Sequence, residues 1–345
     1  MTVLIDYTKG FFETTEGDTV GTNPATIGDV NFADVSLLLH MDGSDGSTTF
    51  TDSSSNGLTV TANGNAQIST TQSKFGGSSA YFDGTGDYLT ASHASNFNFG
   101  SGDFTAEVWF NVPNVSGTDA FITTAAGQGA DGTDFQGIWL GLHQGQYYFI
   151  ASTNGTSWDV SIQAGTPPTN TWTFLSAVRS GNTFTLYVNG VSIGTATSSG
   201  TLTNSNNLIA IGGRTRNNQY SIGYLDDVRV TKGVARYTSN FTAPTAAFLD
   251  AGPTLDLSTG SVFTHTPSAN VAYTFTNPAA SGTSSSFTLK VTPSATITVT
   301  WPSSVIWSGG IAPTAPANGE TDVYSFYTDD GGTTYYGFVS GDALA

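Results

Sequence analysis

Hydrophobic and polar residues alternate along short segments through most of the chain. Every second residue of "FTAEVWF" (104–110) is apolar, and the same alternation runs from Phe184 to Val188, directly ahead of Asn189-Gly190. Alternation with a period of two is typical of strands with one buried face, and Asn-Gly is a preferred pair in tight hairpin turns. The pattern predicts many short antiparallel strands joined by turns.

Composition supports the same fold class. Only 10% of the 345 residues are charged, against about 25% in ordinary soluble domains. Helix surfaces usually draw on Lys and Glu, so long helices are not expected. Hydrophobic residues make up 38% of the chain and aromatic residues 12%, which is enough for a packed core. We therefore predict an all-β protein.

Three regions differ in pattern. Residues 1–33 contain scattered apolar residues and a polar, glycine-containing run, and they predict an N-terminal arm or attachment segment. Residues 34–250 form a train of short strands separated by turns, which is typical of a sandwich. Residues 251–345 again contain strand patterns, with Asp329–Gly332 as a hairpin turn between two aromatic segments. This last region predicts a second, smaller β-sandwich domain.

Net charge and the lack of targeting patterns restrict the expected partners and location of the protein. The net charge of −17 and the pI near 4.1 argue against a nucleic-acid partner, since phosphate binding needs clustered cations. There is no cysteine. The start of the chain has no secretory signal pattern, and no apolar run is long enough to insert into a membrane. We expect a protein that is made inside a cell and stays there or leaves by another route, such as release within a virus particle.

Several blocks in the middle region occur in a familiar order: "VSLLLHMDGSDGSTTF", "SKFGGSSAYFDGTGDYLT", "FTAEVWFNV", "LYVNGVSIG" and "YLDDVRVTKGVARYT". From about Val35 to Phe248 the chain resembles laminin-G-like domains of the concanavalin A-like lectin/glucanase superfamily, in the version found in bacteriophage virion structural proteins. The tail is similar to carboxy-terminal segments of such virion proteins. The resemblance implies an antiparallel jelly-roll sandwich followed by a smaller β domain, exposed on the virion surface.

Aspartates in glycine-bearing loops are candidates for a calcium site. Ca²⁺ takes six to eight oxygen ligands, mostly carboxylates and carbonyls. Relatives often carry calcium between such loops, so the resemblance implies a site, and we select four ligands: Asp42, Asp83, Asp87 and Asp227. The competing interpretation is turn chemistry, because Asp bonds its own backbone and Gly accepts positive φ. Both interpretations stay open at this stage.

A glycan site needs aromatic rings to stack on sugars, with amides and carboxylates for the hydroxyl groups. The loop candidates for this site are Trp158, Tyr147, Asn154, Asp159 and Tyr220. Each of them could equally belong to the core or an edge of the sandwich. The five clustered cations Arg214, Arg216, Arg229, Lys232 and Arg236 either form a docking patch for an acidic neighbour or pair internally with Asp226 or Asp227.

Catalytic patterns are weak. A retaining glycosidase needs two carboxyl groups about 5–5.5 Å apart, yet Glu107 is the one glutamate within the lectin-like strands, and its neighbours two residues away are Thr105 and Trp109. The match of "GVSIG" to G-x-S-x-G follows a hairpin turn, where the strand-to-helix elbow of hydrolases does not occur. The four histidines show no spacing for zinc or a catalytic triad. We predict that the protein is not an enzyme.

The predicted function is a non-enzymatic surface protein of a phage virion, either a capsid decoration protein or a component of a tail appendage or fibre. Its lectin-like domain would contact host surface glycans. Its partners would be other virion proteins and further copies of the chain, for example in a trimer. The alternative is a carbohydrate-binding module of a bacterial surface adhesin. A third hypothesis, a polysaccharide depolymerase, requires convergent carboxylates in a cleft.

Overall fold

The computed structural model describes residues 4–6, 11–13, 23–24, 29, 31–93, 95–124, 135–202, 208–214, 218–249, 252–267, 271–294 and 296–344. The chain forms two compact units. The larger unit comprises Asn31–Asp250, and the smaller one combines Met1–Val30 with Ala251–Ala345. Within the described ranges, no helix is both long and apolar enough to cross a membrane.

Strands dominate both units, and the helical elements in the described residues include short 3₁₀ turns at Phe32–Asp34 and Ser308–Gly310. The strands of the larger unit are β4 Val35–Leu39, β5 Thr61–Asn63, β6 Gln67–Ser69, β7 Ser79–Asp83, β8 Tyr88–Ser92, β9 Phe104–Asn111, β10 Thr118–Thr123, β11 Gly137–His143, β12 Gln146–Ser152, β13 Val160–Ala164, β14 Thr173–Ser180, β15 Thr183–Val188, β16 Val191–Thr197, β17 Leu208–Ile211, β18 Gly213–Arg214, β19 Gln219–Tyr220 and β20 Ile222–Lys232. The strands of the smaller unit are β1 Leu4–Asp6, β2 Phe11–Glu13, β3 Asn23–Pro24, β21 Thr254–Asp256, β22 Val262–His265, β23 Val271–Ala272, β24 Thr274–Thr276, β25 Ser285–Val291, β26 Val299–Thr300, β27 Val305–Trp307, β28 Thr321–Thr328 and β29 Tyr335–Leu344.

Two antiparallel sheets build the larger unit. The seven-stranded sheet has the order β13-β12-β11-β10-β17-β8-β5. The eight-stranded sheet has the order β16-β15-β14-β9-β20-β7-β6, with β4 pairing with β20. The hairpin between β15 and β16 turns at Asn189-Gly190, where both residues have positive φ. The predicted all-β jelly-roll sandwich is therefore confirmed.

The core between the sheets comes from alternate residues of each strand. Phe104, Phe149 and Phe184 are fully buried, and their ring centroids lie 6.2–6.5 Å apart. Packing is tight enough to demand glycine at Gly212, which has φ +78° and whose hypothetical Cβ would lie 2.2 Å from the Phe82 ring. Dense packing of this kind holds the two sheets in one relative position, so the side chains on their outer faces are also held in place.

The outer face of the eight-stranded sheet is covered by the chain itself. Trp109 and Phe174 project from this face and pack with Phe248, which lies in the segment that follows β20. Phe32, from the turn before β4, joins the same cluster. This cluster covers the outer face around Trp109 and Phe174. The outer face of the other sheet is therefore the candidate ligand-binding surface.

The smaller unit contains a six-stranded sheet of order β27-β29-β28-β25-β22-β3, in which β28 and β29 form the predicted hairpin at Asp329–Gly332. Two-stranded sheets, β21-β24 and β23-β26, contribute to its core, which includes Phe263, Phe287 and Tyr324. The strand β3 pairs in parallel with β22, so part of the predicted N-terminal arm belongs to this sheet. Several further pairs in this unit are also parallel.

Candidate glycan-binding face and acidic site

The outer face of the seven-stranded sheet carries aromatic side chains. In β11, Ile138, Leu140 and Leu142 point into the core, so Trp139 points outward; in β12, Tyr148 does the same. This follows from the period of two along a strand. We use the term aromatic face for the following residues on or beside this surface: Tyr88, Trp139, Tyr148, Trp158, Arg214 and Tyr220.

Arg214 lies between two indole rings of the aromatic face. Its guanidinium carbon is 5.5 Å from the ring centroids of both Trp139 and Trp158, within the range of cation–π attraction. The Trp139 and Tyr148 rings meet edge to face at 5.1 Å. Trp139 is 4% exposed, and its indole Nε1 has no hydrogen-bond acceptor among the described residues. Arg214 is also 4% exposed, so Trp139 and Arg214 form a buried layer beneath the half-buried rings of Tyr148 and Trp158.

The loop between β12 and β13 positions Trp158 beside this cluster. Asn154 Oδ1 accepts hydrogen bonds from the backbone N–H groups of Thr156 and Ser157, which closes a local turn. Asp159 accepts a hydrogen bond from the backbone N–H of Thr153 at 2.7 Å. Burial alone would raise the pKa of Asp159, but its hydrogen bonds outweigh burial and lower it. Asn154 and Asp159 therefore hold the loop that presents Trp158.

The structure separates the other two glycan candidates. Tyr147 packs in the core between the two sheets, against Phe110, so its ring faces away from the outer surface. Its neighbour Tyr148 takes the outward position, because consecutive residues of a strand point to opposite faces. Tyr220 is half-buried and stacks on Tyr88 at 6.2 Å. Of the five predicted glycan residues, Trp158 and Tyr220 contribute rings to the aromatic face, and Tyr147 does not.

Trp139, Tyr148 and Arg214 were not among the predicted glycan-binding residues. A signal for the first two was present, because "GIWLGLH" places apolar residues at 138, 140 and 142 and leaves Trp139 on the other face. Arg214 gave no comparable signal, since its contacts with Trp139 and Trp158 join positions far apart in the chain. The predicted basic group is dispersed among different contacts in the structure, and its member Arg216 lies outside the described residues.

Asp83 and Asp87 lie together in the turn between β7 and β8, as turn chemistry predicts. Asp87 is fully buried and accepts hydrogen bonds from the backbone N–H groups of Asn65 and Asp83. Asp83 accepts one from the backbone of Thr85 at 2.7 Å. These contacts occupy carboxylate oxygens that a cation would need. The pair stabilises the strand–turn–strand element formed by β7 and β8.

A second pair of carboxylates is buried where β20 bulges. The register between β20 and β9 shifts after Asp226, and Asp227 has φ +47°, a conformation that aspartate tolerates better than most residues. Asp227 is bonded to His40 Nδ1 and to the backbone N–H of Phe248, each at 2.8 Å. Its two carboxylate oxygens are therefore both engaged by protein groups.

Asp226 is the less satisfied member of this pair. One carboxylate oxygen accepts hydrogen bonds from the backbone N–H groups of Lys74 and Phe75. The other, Oδ1, is buried and has no hydrogen-bond partner in the ranges that the structure describes. Burial raises the pKa of Asp226 to about 7, and the charges of Asp227 and Asp42 add to the effect. An unpartnered carboxylate oxygen close to a second acid is the kind of donor set that a hard cation satisfies.

The four predicted calcium ligands do not converge. Among the residues that the structure describes, no three or more acidic or histidine side chains are grouped to hold a metal ion. Asp42 lies near Asp226, and a Cβ on Gly76 would come within 1.8 Å of its Oδ1. Asp42 therefore has a second carboxylate, that of Asp226, close to it. The oxygens of Asp83 and Asp87 are already engaged by hydrogen bonds.

Glu107 is fully buried under the segment that follows β20. Its carboxylate accepts a hydrogen bond from Arg229 Nε at 2.7 Å and another from the Tyr237 hydroxyl at 2.9 Å. Arg236 Nε lies 3.9 Å from the same carboxylate. Two members of the predicted basic group thus pair internally with Glu107, and the charge of Arg229 also acts on the carboxylate of Asp227. The network links two strands to the covering segment.

The comparisons with known proteins agree with this architecture. Residues 83–236 match the family described as "Concanavalin A-like lectin/glucanases superfamily". The larger unit is a two-sheet jelly roll, and the match supports a concanavalin A-like lectin/glucanase superfamily domain in this chain. No curated protein matches the chain significantly.

Solved structures with a similar fold include toxin domains and an arabinanase domain. The binding domain of Paraclostridial Mosquitocidal Protein 1 is 16% identical with a TM-score of 0.47, over 60% of this chain and 50% of that one. The botulinum neurotoxin serotype G binding domain is 13% identical, with a TM-score of 0.45 over 59% and 48%. Domain 4 of AbnA, an extracellular arabinanase from Geobacillus stearothermophilus in complex with arabinotriose, is 16% identical, with a TM-score of 0.43 over 59% and 94%. The chain spans about half the length of the two toxin domains.

Proposed function

We propose that the larger unit is a non-enzymatic glycan-binding domain and that it binds through the aromatic face. The observation that carries the proposal is the pair of half-buried rings of Tyr148 and Trp158 on the outer side of one sheet, packed on buried Trp139 and beside buried Arg214. Aromatic rings supply apolar surface for the faces of sugar rings, and the buried layer beneath holds the two rings in position. The other sheet is covered by the chain itself.

The proposal is non-enzymatic because the one glutamate of the sandwich strands is engaged. Glu107 is buried beneath Tyr237 and bonded to Arg229, on the sheet opposite the aromatic face. A retaining glycosidase needs two carboxyl groups flanking the same glycosidic bond. A depolymerase would therefore need acids that the aromatic face does not present among its described residues.

The test of glycan binding is replacement of Trp158 by alanine. We expect Trp158→Ala to abolish measurable binding on a glycan array and in calorimetry, since one central aromatic residue can carry about 2 kcal/mol or more of a weak interaction. Trp172→Ala is the matched control, because Trp172 packs on the outer side of the opposite sheet. Equal binding by both variants and the unsubstituted protein would rule out the aromatic face.

The same protein is proposed to be a surface component of a phage virion, as a decoration or tail-appendage protein that forms homo-oligomers. Its support is the resemblance of the quoted blocks and of the tail to virion proteins. Electron microscopy and quantitative mass spectrometry of purified particles test it. A regular copy number and a defined position on the particle are the expected results. Recovery on a bacterial cell surface, with none in particles, would favour the adhesin alternative.

We propose that the carboxylates of Asp226 and Asp42 bind a structural calcium ion. When bound, it would neutralise the two carboxylates and satisfy the buried Asp226 Oδ1. We expect millimolar calcium to raise the melting temperature of the chelator-treated protein by several degrees at pH 7.5, and the Asp226→Asn variant to lose this response. Asp83→Asn is the matched control and should keep it. Loss of the response in Asp83→Asn alone would move the site to the turn after β7.

A further inference from the structure

A polar pocket of about 170 Å³ lies away from the aromatic face. Its polar lining side chains are Asp34, Ser36, Asn56, Asn96 and Lys232. They come from the start of β4, from two loops and from the end of β20. None of these residues belongs to the aromatic face or to the acidic site at Asp226, so the pocket is a separate feature of the larger unit.

Hydrogen bonds hold the walls of the pocket. Asn56 Nδ2 donates to the carbonyl of Val35 at 2.9 Å. Ser36 Oγ donates to the carbonyl of Asn96 at 3.2 Å. Lys232 Nζ donates to the carbonyl of Ser95 at 2.7 Å. Because three of the five polar wall side chains are bonded to backbone carbonyls, much of the pocket is shaped before any ligand arrives, which reduces the entropy cost of binding.

Two wall residues keep unused donors. Asn96 Nδ2 is shielded from solvent and has no hydrogen-bond acceptor within the described part of the chain. Lys232 has three N–H donors and uses one of them on Ser95. A shielded polar group without a partner is unfavourable, so a ligand oxygen that reaches Asn96 gains a contact that the pocket alone does not supply. The ligand must therefore carry acceptor oxygens.

Charge and volume restrict the ligand further. Asp34 and Lys232 bring one negative and one positive side chain to the same wall, so neither a small anion nor a small cation is favoured on net charge. Hydroxyl groups both donate and accept, and they suit a wall that offers amides, a hydroxyl and both charges. At about 30 Å³ per water, the pocket holds about five or six waters, which is room for one ring-sized polyol.

From these observations we infer that this pocket binds a single neutral sugar residue through hydrogen bonds alone. The inference goes beyond the proposed function, since the aromatic face binds by stacking and shares no residue with the pocket. Without an aromatic platform, the affinity should be weak, with a Kd on the order of millimolar. The pocket would then act as an accessory contact for the end of a glycan.

The test is saturation-transfer NMR of the full chain with free glucose, galactose and N-acetylglucosamine, each titrated separately. We expect at least one sugar to bind, and Asn96→Leu and Lys232→Met each to weaken it about tenfold. Asn98→Leu is the matched control, because Asn98 is exposed, lies two residues away and does not line the pocket. A thermal melt of each variant shows that it is folded.

The outcomes separate the two sites. Binding that survives Trp158→Ala and is lost in both pocket variants supports the inference even if the aromatic face proves inactive. Binding that is lost in Trp158→Ala and kept in Asn96→Leu and Lys232→Met places the sugar on the aromatic face and overturns the inference. Absence of binding by all three sugars also overturns it, and leaves a pocket that holds water.

Discussion

Replacing Glu107 by alanine is expected to lower the free energy of unfolding by about 3–5 kcal/mol. The carboxylate is fully buried, and its removal leaves the guanidinium of Arg229, itself 6% exposed, without its partner at 2.7 Å. The Tyr237 hydroxyl loses its acceptor as well. A buried guanidinium that loses its hydrogen-bonded carboxylate is destabilising, so the loss should exceed that of an ordinary side-chain truncation. Urea titration followed by tryptophan fluorescence measures it.

The control is the double variant Glu107→Leu with Arg229→Leu. The double variant removes both members of the hydrogen-bonded pair, so it should be more stable than Glu107→Leu alone, which leaves Arg229 without this carboxylate. Arg229 also stacks over Phe248 at 3.7 Å, and part of its packing is therefore lost in either case. If the single and double variants lose stability additively, the network contributes little beyond packing.

A fall in stability between about pH 4 and pH 7 is the second large effect we expect. Burial raises the pKa of Asp119 to about 7, and the hydrogen bond from the backbone N–H of Ile222 opposes this only in part. In this window the folded protein holds a proton that the unfolded chain has released. Unfolding therefore becomes easier as pH rises, by up to about 4 kcal/mol for a shift of about three pKa units.

Asp119→Asn isolates this contribution. The amide keeps an acceptor oxygen for Ile222 and cannot ionise, so the variant should be flatter in stability across the window and more stable than the original protein at pH 7.5. Part of the dependence of stability on pH should remain in the variant, because burial also raises the pKa of Asp226. The measurement is a series of urea titrations in the presence of a chelator. Equal slopes for both proteins would show that Asp119 ionises normally in the fold.

Much of the fold was predictable from local pattern. Strand β9 and the β15–β16 hairpin lie where alternation and Asn-Gly placed them, because period and turn preference depend on neighbouring residues alone. The candidate site was less accessible. Alternation shows that Tyr147 and Tyr148 point to opposite faces, yet it does not tell which face meets the second sheet.

Long-range pairing explains the remaining differences. Asp226 and Asp227 are adjacent in sequence, but the bulge of β20 against β9 gives them different surroundings. Among the described residues, Asp226 Oδ1 has no hydrogen-bond partner, whereas Asp227 is bonded to His40. Glu107 and Arg229 are 122 positions apart and meet because β9 and β20 are neighbours. The sequence does not distinguish an aspartate in a glycine-rich turn that accepts hydrogen bonds from backbone N–H groups from one that binds a cation.

The amino-acid sequence by itself determined the all-β class, the strand and turn positions and the scarcity of catalytic carboxylates, since each depends on composition or on residues close in the chain. The tertiary structure alone decided which outer face is covered, which aromatic side chains gather around Arg214 and which carboxylate keeps an unpaired oxygen. These features arise where distant strands pack together, and the contacts that create them do not exist until the two sheets have formed.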